Sequence, residues 1–343
     1  MIIDKDKLRQ ALEVVKPGLA SKEIIEQTTS FAFLDGKVIT YNDEICLSHP
    51  LEELDINGVI KAEELYKFLN KTKQKEIELT QTEDQIILKA GKSQAGFALT
   101  TELHLPLEEE ISTEKQWHEL PEKFIEALNF TIPCVSQDIT NPKLTCIHLN
   151  QKGSVESCDN FRIAFFQFDT ELPVKSALLP GKSAKEVIKI KPTHITDDNG
   201  WLHFKNEAGT ELSCRIFHED YIDTKGVLNK KHDFINFTFP EETKEILEKA
   251  RIFAQASVKD INQEHVEVSV KKKVLLIESQ SETAWFKERT RVKDYTGEDF
   301  VFAVTPYLLK EILDTTNSCK VSESILKFSS SDWIYVSALR KLK

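Results

Sequence analysis

Apolar and polar positions alternate with helical spacing in three similar segments of this chain. Each segment carries apolar or small side chains at positions i, i+4 and i+7, which together form one face of an α-helix. The three stripes consist of Leu8, Leu12 and Val15, of Phe124, Leu128 and Thr131, and of Ile246, Ala250 and Phe253. The pattern predicts three amphipathic helices of one kind.

A second kind of helix recurs in the same order, over residues 60–69, 179–188 and 304–313. Both kinds return after about 120 residues, and agreement between two independent markers indicates an internal repeat. We therefore predict three tandem copies of one domain. Their predicted boundaries are 1–116, 117–235 and 236–343.

Between the predicted helices, apolar and polar residues alternate with the period of two that is typical of β-strands. Tight turns separate these strands at Asp35-Gly36, at Gly91 and at Gly209, where glycine accepts a positive φ. Each copy then combines two helices with mostly antiparallel sheet, so the predicted fold class is α+β.

The composition describes a globular chain that is not coated in basic surface. Its formal net charge is -11 and 40% of its residues are apolar, which still permits a local basic groove. The charged N-terminus does not resemble a signal peptide, and no apolar run is long enough to span a membrane, so we expect a cytoplasmic protein. Six scattered cysteines without a C-x-x-C pair are expected to be free thiols.

The segment Gly181-Lys182-Ser183 resembles the end of a phosphate-binding loop. A complete loop has a glycine five residues before Gly181, where this chain has Ser176. The repeat suggests instead that the segment caps a helix. The histidines are isolated and no nucleophile motif is present, so we expect no catalytic residue, metal or cofactor. A phosphate-binding enzyme that uses this segment remains the less favoured alternative.

Basic side chains recur on the predicted helices at equivalent places in the first two copies. Such residues are either ordinary solvated helix faces or parts of one shared basic surface, and their recurrence favours the shared surface. These residues are Lys5, Arg9 and Lys16 on the first helix, Lys67 and Lys71 on the second, and Lys182, Lys185 and Lys189 on the matching helix of the second copy.

A polar corner interrupts the alternating stretch 144–169, between two predicted strands. It reads Ser157-Cys158-Asp159-Asn160-Phe161-Arg162-Ile163-Ala164. This corner resembles the Ala-Thr-Asp-Gly-His-Arg-Leu-Ala corner of the bacterial β sliding clamp, the β subunit of DNA polymerase III. The segment from Tyr335 to Arg340 resembles the same family's C-terminal Tyr-Val-Val-Met-Pro-Met-Arg-Leu, and the threefold order of elements matches over the whole chain. The low similarity suggests a divergent member, such as a phage-encoded one.

The resemblance implies the DNA-clamp fold and a non-enzymatic processivity factor, in the cytoplasm of a bacterial or infected host cell. A head-to-tail homodimer would encircle duplex DNA, with helices lining the hole. Polymerase and clamp loader would bind through a short peptide motif. The resemblance adds Lys22 and Gln137 to the DNA-contacting residues named above. A clamp-fold interaction scaffold that does not encircle DNA is the main alternative.

The resemblance also implies two protein-binding sites. The dimer interface would contain Phe97 and Leu99 of the first copy, and Phe253, Ala254 and Gln255 of the third. A cleft for the partner peptide, with Arg162 at its rim, would be formed by Leu144, Cys158, Asn160, Phe161, Arg162, Ile163, Val227, Leu228, Val336 and Ala338.

Overall fold

The computed structural model of the chain describes residues 1–107, 115–217, 219–255, 264–293 and 295–340. These residues form α-helices, short 3₁₀ turns and antiparallel strands. No helix among them is both long and apolar enough to cross a membrane.

The elements alternate in a pattern of helix and strands that returns three times. The α-helices in the described residues are α1 Lys5–Val15, α2 Ala62–Lys71, α3 Phe124–Thr131, α4 Gly181–Ile190, α5 Lys225–Leu228, α6 Thr243–Gln255 and α7 Pro306–Leu313. The 3₁₀ turns are Lys16–Gly18, Ile132–Cys134 and Pro142–Thr145. The strands are β1 Ile2–Asp4, β2 Ser30–Leu34, β3 Lys37–Tyr41, β4 Ile45–Pro50, β5 Gly58–Lys61, β6 Glu76–Gln81, β7 Gln85–Ala90, β8 Ser93–Ala98, β9 His118–Glu119, β10 Cys146–Asn150, β11 Ser154–Cys158, β12 Arg162–Gln167, β13 Ala177–Pro180, β14 His194–Asp198, β15 Trp201–Lys205, β16 Glu211–Arg215, β17 Ile235–Thr238, β18 Val266–Lys271, β19 Val274–Gln280, β20 Trp285–Arg291, β21 Phe300–Val304, β22 Ser318–Val321, β23 Ile325–Ser329 and β24 Trp333–Ala338.

The chain divides into two compact units. Unit one consists of Met1–Ile132, Asn141–Ser154 and Phe168–Tyr221, and unit two of Pro133–Thr140, Val155–Gln167 and Ile222–Lys343. Unit one contains a four-stranded sheet in the order β1-β6-β7-β8, an eight-stranded sheet in the order β5-β2-β3-β4-β16-β15-β14-β9, and the pair β10-β13. Unit two contains the strand order β11-β12-β24-β23-β22-β17 and a four-stranded sheet in the order β20-β19-β18-β21.

The connections of these strands repeat with the copies. In the first copy β2-β3-β4 has β5 beside β2, and β6-β7-β8 has β1 beside β6; the third copy repeats both groups as β18-β19-β20 with β21 and β22-β23-β24 with β17. The middle copy contributes β14-β15-β16 with β9. The predicted fold class, α+β with three copies of a two-helix domain, is confirmed. The domain boundaries themselves stay a prediction.

Neighbouring copies are joined by strand pairing inside each unit. In unit one β4 pairs antiparallel with β16, and in unit two β12 pairs antiparallel with β24. At both junctions the third strand of one copy's first sheet pairs with the last strand of the next copy's second sheet.

The long helices bury the stripes that the sequence predicts. Helix α1 begins after Asp4, whose carboxylate accepts the N–H groups of Asp6 and Lys7 at 2.8 and 3.1 Å, the usual stabilisation of a helix N-terminus. The apolar stripe residues are buried, apart from the half-buried Phe253. Thr131 fits into its stripe because its hydroxyl donates to the carbonyl of Ala127 at 2.8 Å.

The structure corrects one local prediction, namely the strand start that the alternation indicates at residue 144, and it shows where the candidate phosphate segment lies. Leu144 does not begin a strand: it lies in the 3₁₀ turn Pro142–Thr145, and β10 begins at Cys146. Helix α4 does begin at Gly181, but both Gly181 and Ser183 are buried there, with Ser183 beside Cys214. The candidate phosphate segment therefore packs into unit one at two of its three positions.

His203 on β15 is a buried titratable side chain in unit one. Its Nδ1 lies 2.7 Å from the hydroxyl of Ser213, while its Nε2 meets no hydrogen-bonding atom of the described residues. Burial, with a smaller contribution from Lys115, lowers the pKa of His203 to about 3. The folded chain therefore keeps this imidazole neutral.

The buried imidazole should make stability fall in mild acid. The unfolded chain takes up a proton at His203 below its ordinary pKa of about 6.5 and the folded chain does not, so the free energy of unfolding should decrease by up to about 1.4 kcal/mol per pH unit as the pH falls from 6.5 toward 4. In His203→Leu this contribution is absent. Urea denaturation at several pH values measures it, and parallel curves for the two proteins would contradict the prediction.

Candidate functional site

The polar corner between β11 and β12 is a side-chain-capped turn. The N–H groups of Phe161 and Arg162 donate to one carboxylate oxygen of Asp159 at 2.8 and 2.9 Å. The backbone N–H of Asp159 donates in turn to the carbonyl of Arg162 at 3.1 Å. Asp159 therefore fixes the corner and aims the Arg162 side chain.

The same turn occurs in the other two copies with different residues. Asn42 accepts the N–H groups of Glu44 and Ile45 at 3.1 and 2.9 Å. The hydroxyl of Ser281 accepts the N–H of Ala284 at 3.0 Å. The corner is thus a structural feature of every copy, and what distinguishes the middle copy is the arginine in the position held by Ile45 and Ala284 elsewhere.

Arg162 lies in a buried ionic cluster of unit two. Its Nε is 3.2 Å from Asp159, its Nη1 is 2.6 Å from Glu311 at the end of α7, and its Nη2 donates to the carbonyl of Pro133. The guanidinium also lies 5.9 Å from the ring centre of Tyr307. Its side chain is only 6% exposed in the free chain, and the place of Arg162 at the rim of a peptide cleft stays a prediction. Arg162 connects the corner of the second copy to a helix of the third.

Burial shifts the pKa values of Glu311 and Tyr307, two groups beside Arg162. Burial raises the pKa of Glu311, although the neighbouring guanidinium acts in the opposite direction. Burial likewise raises the pKa of the Tyr307 hydroxyl. Such shifts are common at functional sites, but buried ion pairs that only stabilise a fold produce them too.

Most residues of the expected peptide cleft are buried in the free chain. Asn160, Val227 and Ala338 are exposed, Phe161 is half-buried, and the others are buried. Leu144 belongs to unit one and the other nine residues to unit two. Within unit two, Ile163 pairs with Val336 across β12 and β24, and Ala338 donates its N–H to the carbonyl of Phe161 at 2.8 Å. The structure therefore brings Ile163, Val336 and Ala338 onto adjacent strands, with Phe161 directly before β12.

The segment 227–228 reaches the same sheet. The ammonium of Lys327 donates to the carbonyl of Leu228 at 3.1 Å, and Lys327 pairs directly with Val336 across β23 and β24. Leu228 is buried while Val227 is 43% exposed. Helix α5 is therefore held against the row that contains Ile163 and Val336.

The expected DNA-contacting side chains fall into two groups. Several are already engaged: Lys5 donates to the carbonyl of Thr72 and is mostly buried, Arg9 pairs with Glu13, Lys16 lies over the ring of Tyr66, Lys67 pairs with Glu63, and Lys189 pairs with Glu186. Five are exposed and have no ion pair among the described residues: Lys22, Lys71, Gln137, Lys182 and Lys185. Gln137 lies in unit two and the rest in unit one. Their contact with DNA stays a prediction.

The expected interface residues of the first copy belong to a core. Phe97 is 8% exposed and meets Phe68 edge to face at 5.8 Å between ring centres, and Leu99 is 6% exposed. In the third copy Phe253 stacks on Phe286 at 5.6 Å. Ala254 is buried and Gln255 is exposed. Phe97 and Phe253 therefore pack inside their own domains, Phe97 against Phe68 and Phe253 against Phe286.

The sequence reasoning missed two exposed apolar side chains of the third copy. Trp285 at the start of β20 is 67% exposed, and Ile252 on α6 is 65% exposed. Trp285 follows the corner at Ser281 by four residues, and recognition of the repeated corner would have placed it on a sheet edge. Within the described ranges, strand β20 ends one four-stranded sheet and β8 ends the other, so the outer edge of each strand has no strand partner there.

The fold is that of bacterial sliding clamps. A DNA polymerase III β chain from Streptococcus pneumoniae has a TM-score of 0.85 to this chain at 19% identity over 99% of each chain. A DNA polymerase III β subunit from Thermotoga maritima has a TM-score of 0.79 at 17% identity over 100% of this chain and 99% of its own. A Helicobacter pylori β clamp bound to a DNA ligase peptide has a TM-score of 0.80 at 16% identity over 99% of each chain. No protein-family model and no curated protein matches the chain. At these identities the likeness establishes the fold.

Proposed function

We propose that this protein is a DNA sliding clamp, a non-enzymatic processivity factor that encircles duplex DNA and tethers a DNA polymerase. The fold shared with β clamps supports this function. The observation that carries it is the strand-pairing rule that joins neighbouring domains. Two junctions within the chain follow this rule, and the two strand edges that a third junction needs, β8 and β20, pair with no further strand of the described residues. A second molecule of this protein, joined head to tail to the first, would pair both of these edges and close a ring.

The first junction defines the register. Ile45, three residues after the corner at Asn42, pairs with Cys214. The next residue on the last strand, Arg215, donates its N–H to the carbonyl of Glu44 at 2.9 Å.

The second junction has the same register. Arg162, three residues after Asp159, pairs with Ser337, and Ala338 donates its N–H to the carbonyl of Phe161 at 2.8 Å. The last strands of the three domains, β8, β16 and β24, can also be aligned with one another by the hydrogen bond that follows each of them. Equivalent hydrogen bonds join Ile216 to Gly200, Leu339 to Ser324 and Leu99 to Asp84. Phe97 therefore occupies the position of Cys214 and Ser337.

Applied between two copies of the chain, this rule pairs β20 of one with β8 of the other. The opposed residues would be Ala284 with Phe97, Trp285 with Gly96, and Phe286 with Ala95. Each pair sets a large side chain against a small one or none, the arrangement that lets facing positions interdigitate. This complementarity supports a homodimer whose interface contains Trp285 and Gly96, with Phe253 behind Phe286.

Binding to DNA is expected to be weak, independent of sequence and strongly salt-dependent. A short linear duplex tests this by fluorescence anisotropy between 50 and 200 mM salt. If Lys182 and Lys185 each contact a phosphate, their replacement by glutamate should weaken binding and reduce the slope of log K against log salt by about 0.9 per contact.

A matched control for this measurement is Lys89→Glu with Lys92→Glu, which changes the net charge equally on the β6-β7-β8 sheet. We expect it to retain most of the salt slope. Equal effects of the two pairs, or tight sequence-specific binding, would contradict a DNA-facing role for α4.

The partner site of the proposed clamp is the row of Phe161, Ile163, Val336 and Ala338 with α5 beside it. The DNA ligase peptide bound to the Helicobacter pylori clamp supports a peptide as the ligand. A polymerase or clamp-loader peptide would contact the exposed Val227 and Ala338 first. Because Ala338 is exposed, Ala338→Trp should block this site without disturbing the core.

A further inference from the structure

A straight row of residues crosses the sheet of unit two beyond the proposed partner site. Val336 pairs with Lys327, Lys327 pairs with Lys320, and Lys320 pairs with Asn236. Directly opposed residues of antiparallel strands share one face of the sheet. Neighbouring strands are about 4.8 Å apart, so Lys320 lies about 10 Å from Val336 on the same face.

The opposition of Lys320 and Lys327 is unfavourable for the fold. Like charges directly opposite each other destabilise a sheet, and this chain has 56 acidic residues from which a partner could have been supplied. The ammonium of Lys327 donates a hydrogen bond to the carbonyl of Leu228. Lys320 is exposed, and no carboxylate of the described residues lies within 4 Å of its ammonium. A pair of residues that destabilises the fold, such as these two opposed lysines, is expected where function requires it.

A cavity of about 680 Å³ lies over these lysines. The sheet contributes Asn236, Thr238, Ser318, Lys320, Lys327 and Ser329 to its lining, and the segment after β20 contributes Lys293. The polar part of the lining thus combines three ammonium groups with hydroxyl and amide groups, while Phe237, Val292, Tyr295 and Cys319 complete it. Asn236 and Thr238 of this lining belong to β17, the last strand in the described order of this sheet.

We infer that this cavity binds an acidic segment of the partner peptide, with Lys320 as the principal cation. The inference rests on the proposed function, because the peptide's apolar anchor would occupy the site at Val336 and Ala338. An extended chain advances about 3.3 Å per residue, so the acidic residues lie about three positions from the anchor.

Charge and shape favour a peptide over a nucleic acid here. Hydroxyl and amide side chains beside an open strand edge suit an extended peptide, which can add hydrogen bonds along β17. A single-stranded nucleic acid binds through exposed aromatic platforms, whereas the aromatic side chains of this lining, Phe237 and Tyr295, are buried.

Two fluorescein-labelled peptides test the inference. Each carries a Leu-Phe anchor and a Gly-Ser spacer, followed by Glu-Glu in one and Gln-Gln in the other, and each is made in both chain directions. At low salt we expect the glutamate peptide to bind about fivefold more tightly, as one added ion pair allows. Lys320→Gln should remove the preference and Lys320→Glu should reverse it.

Lys271→Glu is the matched control, because Lys271 is an exposed lysine without an ion pair among the described residues, on the other sheet of unit two. It should keep the preference. Equal binding of both peptides to the wild type, or equal effects of Lys320→Glu and Lys271→Glu, overturns the acidic site and leaves the clamp function standing. Competition by inorganic phosphate or by a short oligonucleotide as strong as that by the glutamate peptide overturns the peptide assignment. Binding of both peptides that survives Ala338→Trp argues instead against the partner site.

Discussion

Cysteines introduced at Ala98 and Thr283 are expected to form a disulfide between two copies of this chain. The junction rule makes these residues the counterparts of Arg215 with Glu44, and of Ala338 with Phe161. In both pairs the first residue donates its backbone N–H to the carbonyl of the second. Hydrogen-bonded antiparallel pairs have Cα atoms about 5.5 Å apart, which lies within the range that a disulfide spans. Both positions are exposed, so no packing is lost.

The register makes this cross-link specific. Under mild oxidation the double variant should migrate as a covalent dimer without reductant, because the six native cysteines are buried. Cysteines at Thr100 and Thr283, displaced by two residues along the strand, should not cross-link. A dimer from the displaced pair, or none from the first, would show that β8 and β20 do not meet in this register.

The tryptophan at the same edge should carry much of the association energy. Trp285 stands opposite Gly96 in the expected interface, and a buried tryptophan typically costs 2 kcal/mol or more when it is removed, which weakens a dimer about thirtyfold. Trp285→Glu should reduce the mass in light scattering from twice 39.3 kDa to 39.3 kDa. The control Ile24→Glu removes another exposed apolar side chain, 92% exposed and distant in sequence from either edge, and should stay dimeric.

Closure of the ring also separates a clamp from a scaffold. If the Ala98 and Thr283 cysteines are oxidised on a nicked circular plasmid, the covalent dimer should stay with the circle at high salt and leave it after the plasmid is cut. Retention depends on topology in this case, since salt weakens the phosphate contacts. Loss from the uncut circle would favour the scaffold.

The threefold repeat could be predicted from the sequence because amphipathic spacing and turn residues are local signals. Leu8, Leu12 and Val15 are buried as predicted, and the α+β class follows from the alternation of helices and strands. The corner was recognised only in the middle copy. Asn42, Asp159 and Ser281 perform the same capping with three different side chains, so residue identity concealed a repeat that hydrogen bonds reveal.

The sites were less predictable because burial depends on tertiary contacts. A sequence match marks Phe97 as apolar, but it cannot show that the ring already packs on Phe68 within the chain. Conversely, the proposed interface role of Trp285 and Gly96 follows only from strand order. That order makes β8 the terminal strand of a sheet in the first copy and β20 the terminal strand of a sheet in the third. The row from Val336 to Lys320 likewise depends on a register that no local pattern specifies.

Replacement of Arg162 by methionine is expected to destabilise unit two severely. The change removes the donor to Asp159, Glu311 and the carbonyl of Pro133 together. Removal of one partner from a buried ion pair costs about 3–5 kcal/mol, because the remaining charge is left without compensation. Glu311 is 40% exposed and can recover some hydration, so we expect about 3 kcal/mol, measured as a lower midpoint in urea denaturation followed by circular dichroism.

The double variant Arg162→Met with Glu311→Met distinguishes an ion cluster from simple packing. Apolar replacement of both members of a buried pair is often nearly neutral, so this variant should recover the part of the loss that comes from Glu311, while Asp159 keeps the N–H groups of Phe161 and Arg162. The control Arg9→Met breaks the Arg9–Glu13 pair on α1, whose side chains are 29% and 57% exposed, and should cost only about 0.3–0.5 kcal/mol. Equal losses in Arg162→Met and Arg9→Met, or additive losses in the double variant, would show that Arg162 does not hold the corner of the second copy to the helix of the third.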